Sequence, residues 1–279
     1  MNIIVENHLG QKLTLSKNFQ VVNVDGLTPS SATINTFGAG ISDGTFYNSS
    51  YVNQRNIVLT IVPEGNVEKA RLTLYRYFKP KYKVRLYFTT STRDVYIDGY
   101  VETFEGALYS QKQAFQISVI CPQPFFKDIN AIVVDQSVVN STFQFPFSTT
   151  EEGIVLSEIQ YNGYVTVPNI GEESTGVVIT LLANDTVLEP TIYNTTTRET
   201  FTIEYEMEKG DIITVDTRRG TKTIMLEKDG TNTNIINNIA KGSKWFLLPA
   251  GDNVFTYNCI FGVENLRASY SLYPLYEGV

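Results

Sequence analysis

Reactive and metal-binding side chains are scarce in this chain. Its 279 residues include one histidine, two cysteines and one tryptophan. A nucleophilic triad or dyad would have to use His8, which lies in a polar turn where solvation is the simpler role. Cys121 and Cys259 lack zinc-ligand spacing, and two buried thiols are expected rather than one disulfide bridge. The sequence therefore predicts no catalytic residue, no metal ligand and no cofactor.

Two further patterns favour ordinary turns and surfaces over chemistry. The segment KDGTNTN, 228–234, superficially resembles a calcium loop, but its glycine stands too early and no glutamate closes it. Neighbouring carboxylates such as Glu204 and Glu206 would serve a glycosidase only if two of them faced each other across a cleft. An enzyme is therefore the least favoured functional class.

Clustered positive charge and long apolar runs are also missing. The net charge is −7, and phosphate backbones require grouped Lys and Arg, so a nucleic acid is not expected as a direct ligand. No apolar stretch approaches the roughly 18 residues of a membrane span, and the N-terminal segment lacks the pattern of a signal peptide. We expect a protein made in the cytosol with no membrane partner.

Aromatic and β-branched residues are abundant instead. Seventeen Tyr and sixteen Phe accompany a hydrophobic content of 42%, which indicates a globular chain rich in β-structure. In the first half, strands NIIVEN and KLTL form a hairpin around residues 8–11, and IVLTIVP reads as a strand buried on both faces. Asn66 caps a helix that ends before Pro80, and three further strands follow. This order predicts an α+β domain with an antiparallel sheet over residues 1–128.

A long polar segment, residues 26–56, interrupts this domain. It is rich in Gly, Ser, Thr and Asn, and Asp43-Gly44 is a strong turn signal. Gly38 and Gly40 lack the following GK[ST] of a phosphate loop, so we expect them to permit unusual backbone angles. The segment predicts an extended arm.

The second half has a different texture. Short β-like runs recur between turn residues from 129 to 279, and the one helix candidate, 232–242, is Asn-rich and weak. This spacing is typical of an all-β sandwich or jelly roll.

The stretch ISVICPQPFFKD, 117–128, lies between the two halves. Cys121 precedes Pro122 in apolar surroundings, which favours a buried thiol over a reactive one. Pro122 and Pro124 cannot donate ladder hydrogen bonds and stiffen the exit of the strand. With Phe125 and Phe126 packing at the seam, the stretch predicts a semi-rigid joint between the domains.

The order of these segments resembles the distal tail proteins of siphophages, the Dit family. The similarity lies in SDGTFYNSSYVNQRNIVLTI, with its Asp-Gly turn, Arg55 and apolar strand, then EKARLTLYRYFKP, VYIDGYVETFE and QAFQISVICPQPFF. KGDIITVDTRRGTKTIMLEKDG, KWFLLPAGDNVFTYNC and the terminal Tyr276-Glu277-Gly278 are similar to the second domain of that family. Residues 127–200 resemble it least.

The resemblance implies a structural virion protein at the distal tail end or baseplate, assembled in the bacterial host cytoplasm. It implies a hexameric ring formed by the N-terminal domain and an outer, galectin-like β-sandwich. The ring would join the tail-tube protein to the tail-associated hub or tip protein, and the outer domain would carry receptor-binding or other baseplate proteins. DNA would pass the lumen without specific binding.

The arm supplies a hypothesis for ring formation. A closed ring needs contacts between different faces of one subunit, and the arm residues Gly38, Gly40, Asp43, Gly44 and Arg55 are predicted to pair with a neighbour. The alternative from another class is a carbohydrate-binding module for host-wall attachment. Trp245 is the only Trp, and its apolar surroundings predict a core position rather than a sugar platform.

Overall fold

The computed structural model describes residues 1–16, 18–38, 40, 43–106, 113–141, 157–161 and 163–279. Within these residues the protein is mostly β, with one α-helix, and every strand pair is antiparallel. The predicted strand STFQFPF, apart from Ser141, and the first four residues of GIVLSEIQY lie outside the described residues. None of the described helices is long and apolar enough to span a bilayer.

The chain divides into two compact units. The first unit comprises Met1–Ile129 together with Leu275–Val279, and the second unit comprises Asn130–Pro274. The sequence-based division, 1–128 and 129–279, differs from this chiefly at residues 275–279. They group with the first unit because their strand pairs with a strand of that unit.

The elements of the chain up to residue 129 are β1 Asn2–Glu6, β2 Lys12–Thr14, β3 Phe19–Asp25, β4 Ala32–Gly38, β5 Thr45–Val52, β6 Arg55–Pro63, α1 Val67–Tyr77, β7 Lys83–Thr89, β8 Asp94–Gly106, β9 Phe115–Cys121 and β10 Phe126–Asp128. The elements that follow are β11 Ile132–Asp135, β12 Ser137–Ser141, β13 Ser157–Tyr161, β14 Val165–Asn169, β15 Val177–Ala183, β16 Val187–Leu188, β17 Thr191–Asn194, β18 Glu199–Thr202, β19 Glu206–Met207, β20 Ile212–Asp216, β21 Thr223–Lys228, β22 Thr231–Asn234, β23 Gly251–Asn258, β24 Leu266–Leu272 and β25 Leu275–Tyr276, with short 3-10 helices at Ile236–Asn238 and Val263–Asn265.

A nine-stranded sheet forms the first unit. Its main path runs β2-β1-β7-β8-β9-β6-β3, and β10 pairs with β8 and β25 beside that path. The β1–β2 hairpin was predicted from its turn residues and is confirmed. The Asn7 side chain accepts hydrogen bonds from the Leu9 and Gln11 amides, which stabilises the turn.

Helix α1 follows the predicted pattern. Asn66 caps it by accepting a hydrogen bond from the Lys69 amide at 3.0 Å. Ala70, Leu74 and Phe78 are buried in the core of the first unit, as their spacing predicts. Strand β6 differs from its prediction, because its side chains alternate between buried and partly exposed positions. The continuous apolar run therefore covers one buried face and one half-covered face.

Two sheets share the core of the second unit. One has the order β11-β24-β15-β20-β21-β22 and the other the order β14-β23-β17-β18. The weak helix candidate at 232–242 was wrong, because β22 and a single 3-10 turn occupy it. The run KWFLLPA is not a strand either, although Phe246 and Leu248 within it are fully buried.

The second unit is inserted between two paired strands of the first. Strand β10 precedes it, β25 follows it, and the two are antiparallel neighbours with Phe126 opposite Tyr276. The chain therefore leaves and re-enters the first unit at adjacent points.

Candidate assembly surface

The polar segment predicted as an arm contains a β-hairpin. Strands β4 and β5 pair only with each other, in a two-stranded sheet separate from the main sheet. Nearly every residue of both strands is exposed. An isolated two-stranded hairpin is marginally stable in water, so this hairpin is not explained by packing within its own unit.

The hairpin exposes apolar side chains on both faces. By the strand register, Ile34 and Tyr47 lie on one face, while Phe37, Phe46 and Tyr51 lie on the other. Their exposed fractions run from 56% to 64%. The Phe37 and Phe46 rings stand opposite each other with centroids 5.4 Å apart. Such a concentration of exposed aromatic surface indicates an interaction site.

The predicted turn residues lie at the tip of this hairpin. Gly38 ends β4, and Gly40, Asp43 and Gly44 lie in the connection to β5. Gly40 and Gly44 have φ values of +70° and +93°, which a residue with a side chain adopts at a cost. Their predicted contact with a neighbouring subunit stays a prediction.

Arg55, the fifth predicted arm residue, lies at the opposite end of the hairpin. It begins β6, is 2% exposed, and donates hydrogen bonds to four main-chain carbonyls. The acceptors are Gly26 and Thr28 at 2.5 Å, Pro124 at 2.6 Å and Glu277 at 2.5 Å. Its guanidinium also lies over the Phe126 ring, 4.5 Å from the centroid. Arg55 thus binds segments of its own chain and is not part of the exposed surface.

A second arginine holds the same terminal segment. Arg93 donates to the Gly278 carbonyl at 2.7 Å, and its guanidinium lies 4.4 Å from the centroid of the Tyr276 ring. The Val279 amide donates to the Leu27 carbonyl at 3.2 Å. Residues 275–279 therefore lie against the start of the segment that leads into the hairpin.

The predicted joint residues all lie within the first unit. Cys121 ends β9, and Phe126 begins β10 and packs edge-on against Phe88 in the core. Pro122 and Pro124 separate β9 from β10, with Phe125 between them and that strand. The boundary between the units falls later, between Ile129 and Asn130. A joint role for Cys121, Pro122, Pro124, Phe125 and Phe126 stays a prediction.

Cys121 has the surroundings of a structural thiol. It is fully buried, and burial raises its pKa to about 12 against an opposing effect of the Arg55 charge. A thiolate is the reactive form of cysteine, and it is scarce near neutral pH at such a pKa. Both cysteines are free.

A polar cleft of about 210 Å³ includes the single histidine, and each of its charged side chains has a partner: Glu6 contacts Lys12 and Tyr87, and the others contact one another. Asp98 binds Arg85 through two hydrogen bonds of 2.7 and 3.0 Å, and Lys83 lies 3.2 Å away. His8 stacks on Tyr82 with centroids 4.3 Å apart. In the part of the chain that the structure describes, no three His, Cys, Asp or Glu side chains cluster as metal ligands.

Strand β3 forms one end of the main path of the sheet and borders a groove. The groove has a volume of about 430 Å³ and is lined by Met1, Ile3, Leu15, Val21, Val22, Asn23, Val24 and Leu27. Val22 is 60% exposed. An edge strand with free main-chain groups is a template for pairing with another β-segment.

Trp245 lies partly buried against the core of the second unit. It packs edge-on against Phe201, and the Lys222 ammonium lies 5.4 Å from its ring centroid. The carbohydrate-binding alternative is tested by none of these contacts and stays a prediction.

Two features of the surface were missed in the sequence. The first is the set of exposed apolar side chains of the hairpin, Ile34, Phe37, Phe46, Tyr47 and Tyr51, which lie in a segment of mostly polar composition. The apolar residues on each side of the turn signal could have predicted two paired strands. The role of Arg55 could not be found by spacing, since its acceptor Glu277 is 222 residues away along the chain.

A family model described as a siphovirus-type tail component, C-terminal domain, matches residues 170–271. The predicted resemblance to phage distal tail proteins is confirmed. No curated protein is similar enough in sequence to count as a match.

Solved structures of phage tail proteins share the fold. The Dit protein (gp 19.1) of phage SPP1, described as a paradigm of hub adsorption apparatus in Gram-positive infecting phages, superposes with a TM-score of 0.70 at 13% identity, over 98% of each chain. A chain of the phage P2 baseplate in its activated conformation with Ca gives 0.55 at 13% identity, over 100% of this chain and 99% of that one. The corresponding baseplate with Sr gives 0.53 at 12% identity, with the same coverage. The chain therefore has a fold like that of the SPP1 Dit protein.

Proposed function

We propose that this protein is a structural component of the distal tail end or baseplate of a siphophage. Copies of it form a homo-hexameric ring that joins the tail-tube protein to the tail-associated hub or tip protein. The family-model match and the fold shared with the SPP1 Dit protein support the class of protein. The single observation that carries the assembly role is the β4–β5 hairpin, whose aromatic side chains are exposed on both faces.

The hairpin is the surface through which one copy holds the next. A hairpin that is apolar on both faces gains most when it lies between or across other surfaces. Burying one Phe side chain on assembly contributes about 1.5–3 kcal/mol, so several such residues stabilise an interface substantially. The hairpin carries Asp43 and no Lys or Arg, so little charge has to be desolvated.

The receiving surface in the neighbouring copy is the edge strand β3 with its groove. The groove contains the exposed side chain of Val22, which offers an apolar contact beside the unpaired edge of β3. Hairpin and groove are different surfaces of one subunit, so their contact is heterologous and propagates from copy to copy until a ring closes. Main-chain pairing along β3 would add orientation to this contact.

The two units then have different tasks. The first unit, an α+β module with a large sheet, the β4–β5 hairpin and one helix, builds the ring. The second unit is a galectin-like β-sandwich on the outside, where it carries receptor-binding or other baseplate proteins. DNA passes through the ring without specific binding, and the protein is a virion component assembled in the host cytoplasm.

The test is the size of the purified protein in solution and its dependence on the hairpin. Light scattering and negative-stain images should show a discrete hexamer with a central hole. The double variant Phe37→Ser/Phe46→Ser should shift the protein towards monomers, because each interface loses apolar area worth about 3 kcal/mol or more. Tyr164→Ser in the second unit is the matched control, since Tyr164 is 69% exposed but lies outside the hairpin.

Two results would contradict the proposal. If the full-length protein stayed monomeric at high protein concentration, the proposed ring would be contradicted. Hexamers that persist unchanged in the double variant would leave a ring but exclude the hairpin as its main contact. A monomer that binds a glycan through Trp245 would favour the carbohydrate-binding alternative.

A further inference from the structure

The root of the β4–β5 hairpin, which comprises residues 26–31 and 53–55, contacts residues 275–279. We propose that residues 275–279 act as a latch that fixes this root, so that the hairpin is set for assembly only after the segment following the second unit has docked. The assembly part of this inference rests on the proposed function, whereas the effect on the hairpin root does not.

The root itself is narrow and built from few contacts. The Asn53 amide donates to the Ser31 carbonyl at 2.9 Å, and the Thr33 hydroxyl bonds to the Asn53 side chain at 2.9 Å. On the side of the sheet, a Cβ added to Gly26 would meet the Asn56 carbonyl oxygen at 2.1 Å. The main chain at Gly26 therefore packs directly against the main chain at Asn56. A small displacement of residues 26–28 would change the direction in which the hairpin projects from the main sheet.

Arg55 holds residues 26–28 in place through hydrogen bonds to their main-chain carbonyls. Its Nη1 donates to the Gly26 and Thr28 carbonyls, while its Nη2 donates to the Glu277 carbonyl. The planar guanidinium presents its donors in a fixed fork, so these acceptors hold one another in place through one rigid group. The position of the hairpin root therefore depends on the position of residue 277.

The latch is also held by other contacts with the first unit. Arg93 binds the Gly278 carbonyl and lies over the Tyr276 ring. The Val279 amide bonds directly to the Leu27 carbonyl. Tyr276 is buried in the core of the first unit, and its hydroxyl bonds to the Asp128 side chain at 3.2 Å.

Removing the latch would leave Arg55 with an unsatisfied buried donor. A charged donor that loses its acceptor in a buried site is costly, so the guanidinium is expected to shift or to recruit water. Either change loosens the Gly26 and Thr28 bonds. β10 would lose its partner β25 at the same time.

The order of synthesis gives this arrangement a consequence. Domains fold as the chain emerges, N-terminal parts first. Residues 275–279 follow the whole second unit, so the hairpin root is completed after the chain of the second unit has been made. A chain that stops within the second unit would carry the hairpin but not the latch, and it would be a poor partner in a ring.

Hydrogen exchange measured on the full chain and on a chain ending at Pro274 tests the latch. Without residues 275–279, exchange in residues 26–31 and 53–55 should become at least about tenfold faster, while exchange in β15 and β20 stays unchanged. Fluorescence of Trp245, the only Trp, reports that the second unit is still folded. Light scattering should show loss of the ring in the truncated chain.

Arg93→Gln and Arg85→Gln form a matched pair in the complete chain. Both arginines lie over a tyrosine of the first unit, but only Arg93 contacts residues 275–279. Arg93→Gln should speed exchange at the hairpin root, and Arg85→Gln should not. If truncation unfolds the chain as a whole, this pair decides the question.

Unchanged exchange at the root in both the truncated chain and Arg93→Gln would overturn the latch. A full-length protein that forms no ring would instead overturn the proposed function, and the exchange comparison would still test the latch in the monomer.

Discussion

The two units differ in their net charge and in the apolar side chains that they expose. The first unit has 13 Lys and Arg against 11 Asp and Glu, a net charge of +2, whereas the second has 9 against 18, a net charge of −9. The first unit also carries the exposed aromatic hairpin. Near-neutral charge and exposed apolar surface favour association, while strong like charge opposes it. The first unit therefore has the surface better suited to association, whereas like charge opposes close approach between copies of the second unit.

The largest expected effect comes from separating the units. A chain in which residues 130–274 are replaced by a short Gly-containing turn should fold and still form the ring, because β10 and β25 are adjacent and the first unit has its own core. Residues 130–274 alone should remain monomeric. Light scattering of both proteins checks this, and the reverse pattern would assign assembly to the second unit.

Core cavities should affect one unit at a time. Leu74→Ala in the first unit and Leu181→Ala in the second each remove a fully buried side chain, and each should cost about 2–5 kcal/mol of unfolding free energy. Trp245 fluorescence reports the second unit, and labelling of the buried Cys121 thiol, with Cys259→Ser in every protein compared, reports the first. If Leu74→Ala lowered the Trp245 transition as strongly as Leu181→Ala, the units would not be thermodynamically separate.

Acid should weaken each unit through a different carboxylate. Burial alone would raise the pKa of Asp98, but hydrogen bonds and charge attraction from Arg85 and Lys83 outweigh it and hold that pKa below its ordinary value. Arg218 lowers the pKa of Asp216 in the same way against burial. Each pair stabilises the folded state above the unfolded Asp pKa of about 3.9, and this stability is lost as pH falls through the lower folded pKa.

The matched variants Asp98→Asn and Asp216→Asn test this assignment. Each should remove about 1 kcal/mol at pH 7 from its own unit and flatten the acid limb of that unit's stability curve. Urea unfolding at pH 7 and pH 3.5, followed with the two probes, measures it. A variant whose stability falls with acid as steeply as that of the parent chain would exclude the carboxylate concerned.

The smallest expected effect is that of salt on stability. Raising NaCl from low to high concentration screens the repulsion among the excess carboxylates of the second unit. Its urea midpoint should rise slightly, while that of the first unit should change less. Equal shifts in both units would show that net charge does not separate them.

Local signals in the sequence predicted local structure well. Asn66 and the spacing of Ala70 and Leu74 predicted α1, because capping and helical period act over a few residues. The helix candidate at 232–242 was wrong because an Asn-rich segment provides little helix propensity, so its tertiary surroundings decide its conformation. The alternating burial of β6 was obscured by its continuous apolar run.

The candidate surface could be predicted only in part. The Asp43-Gly44 turn predicted the reversal of the chain, but the contacts that fix the hairpin are non-local. Arg55 joins carbonyls from residues 26, 28, 124 and 277, and no sequence period links these positions. The return of β25 to the first unit could not be predicted from local sequence either, because a strand of two residues has no recognisable pattern of its own.

The insertion of the second unit between β10 and β25 also has a mechanical meaning. A pull on the second unit would act on both strands in the same direction, so it would not peel one from the other. The load would pass to the pairing of β10 with β8, to the buried Phe126 ring, and to the carbonyls held by Arg55 and Arg93. Ladder hydrogen bonds run perpendicular to the strands. A pull along the strand axis therefore strains several of these hydrogen bonds at once instead of breaking them one by one. The attachment is therefore suited to bearing tension that is applied through the second unit.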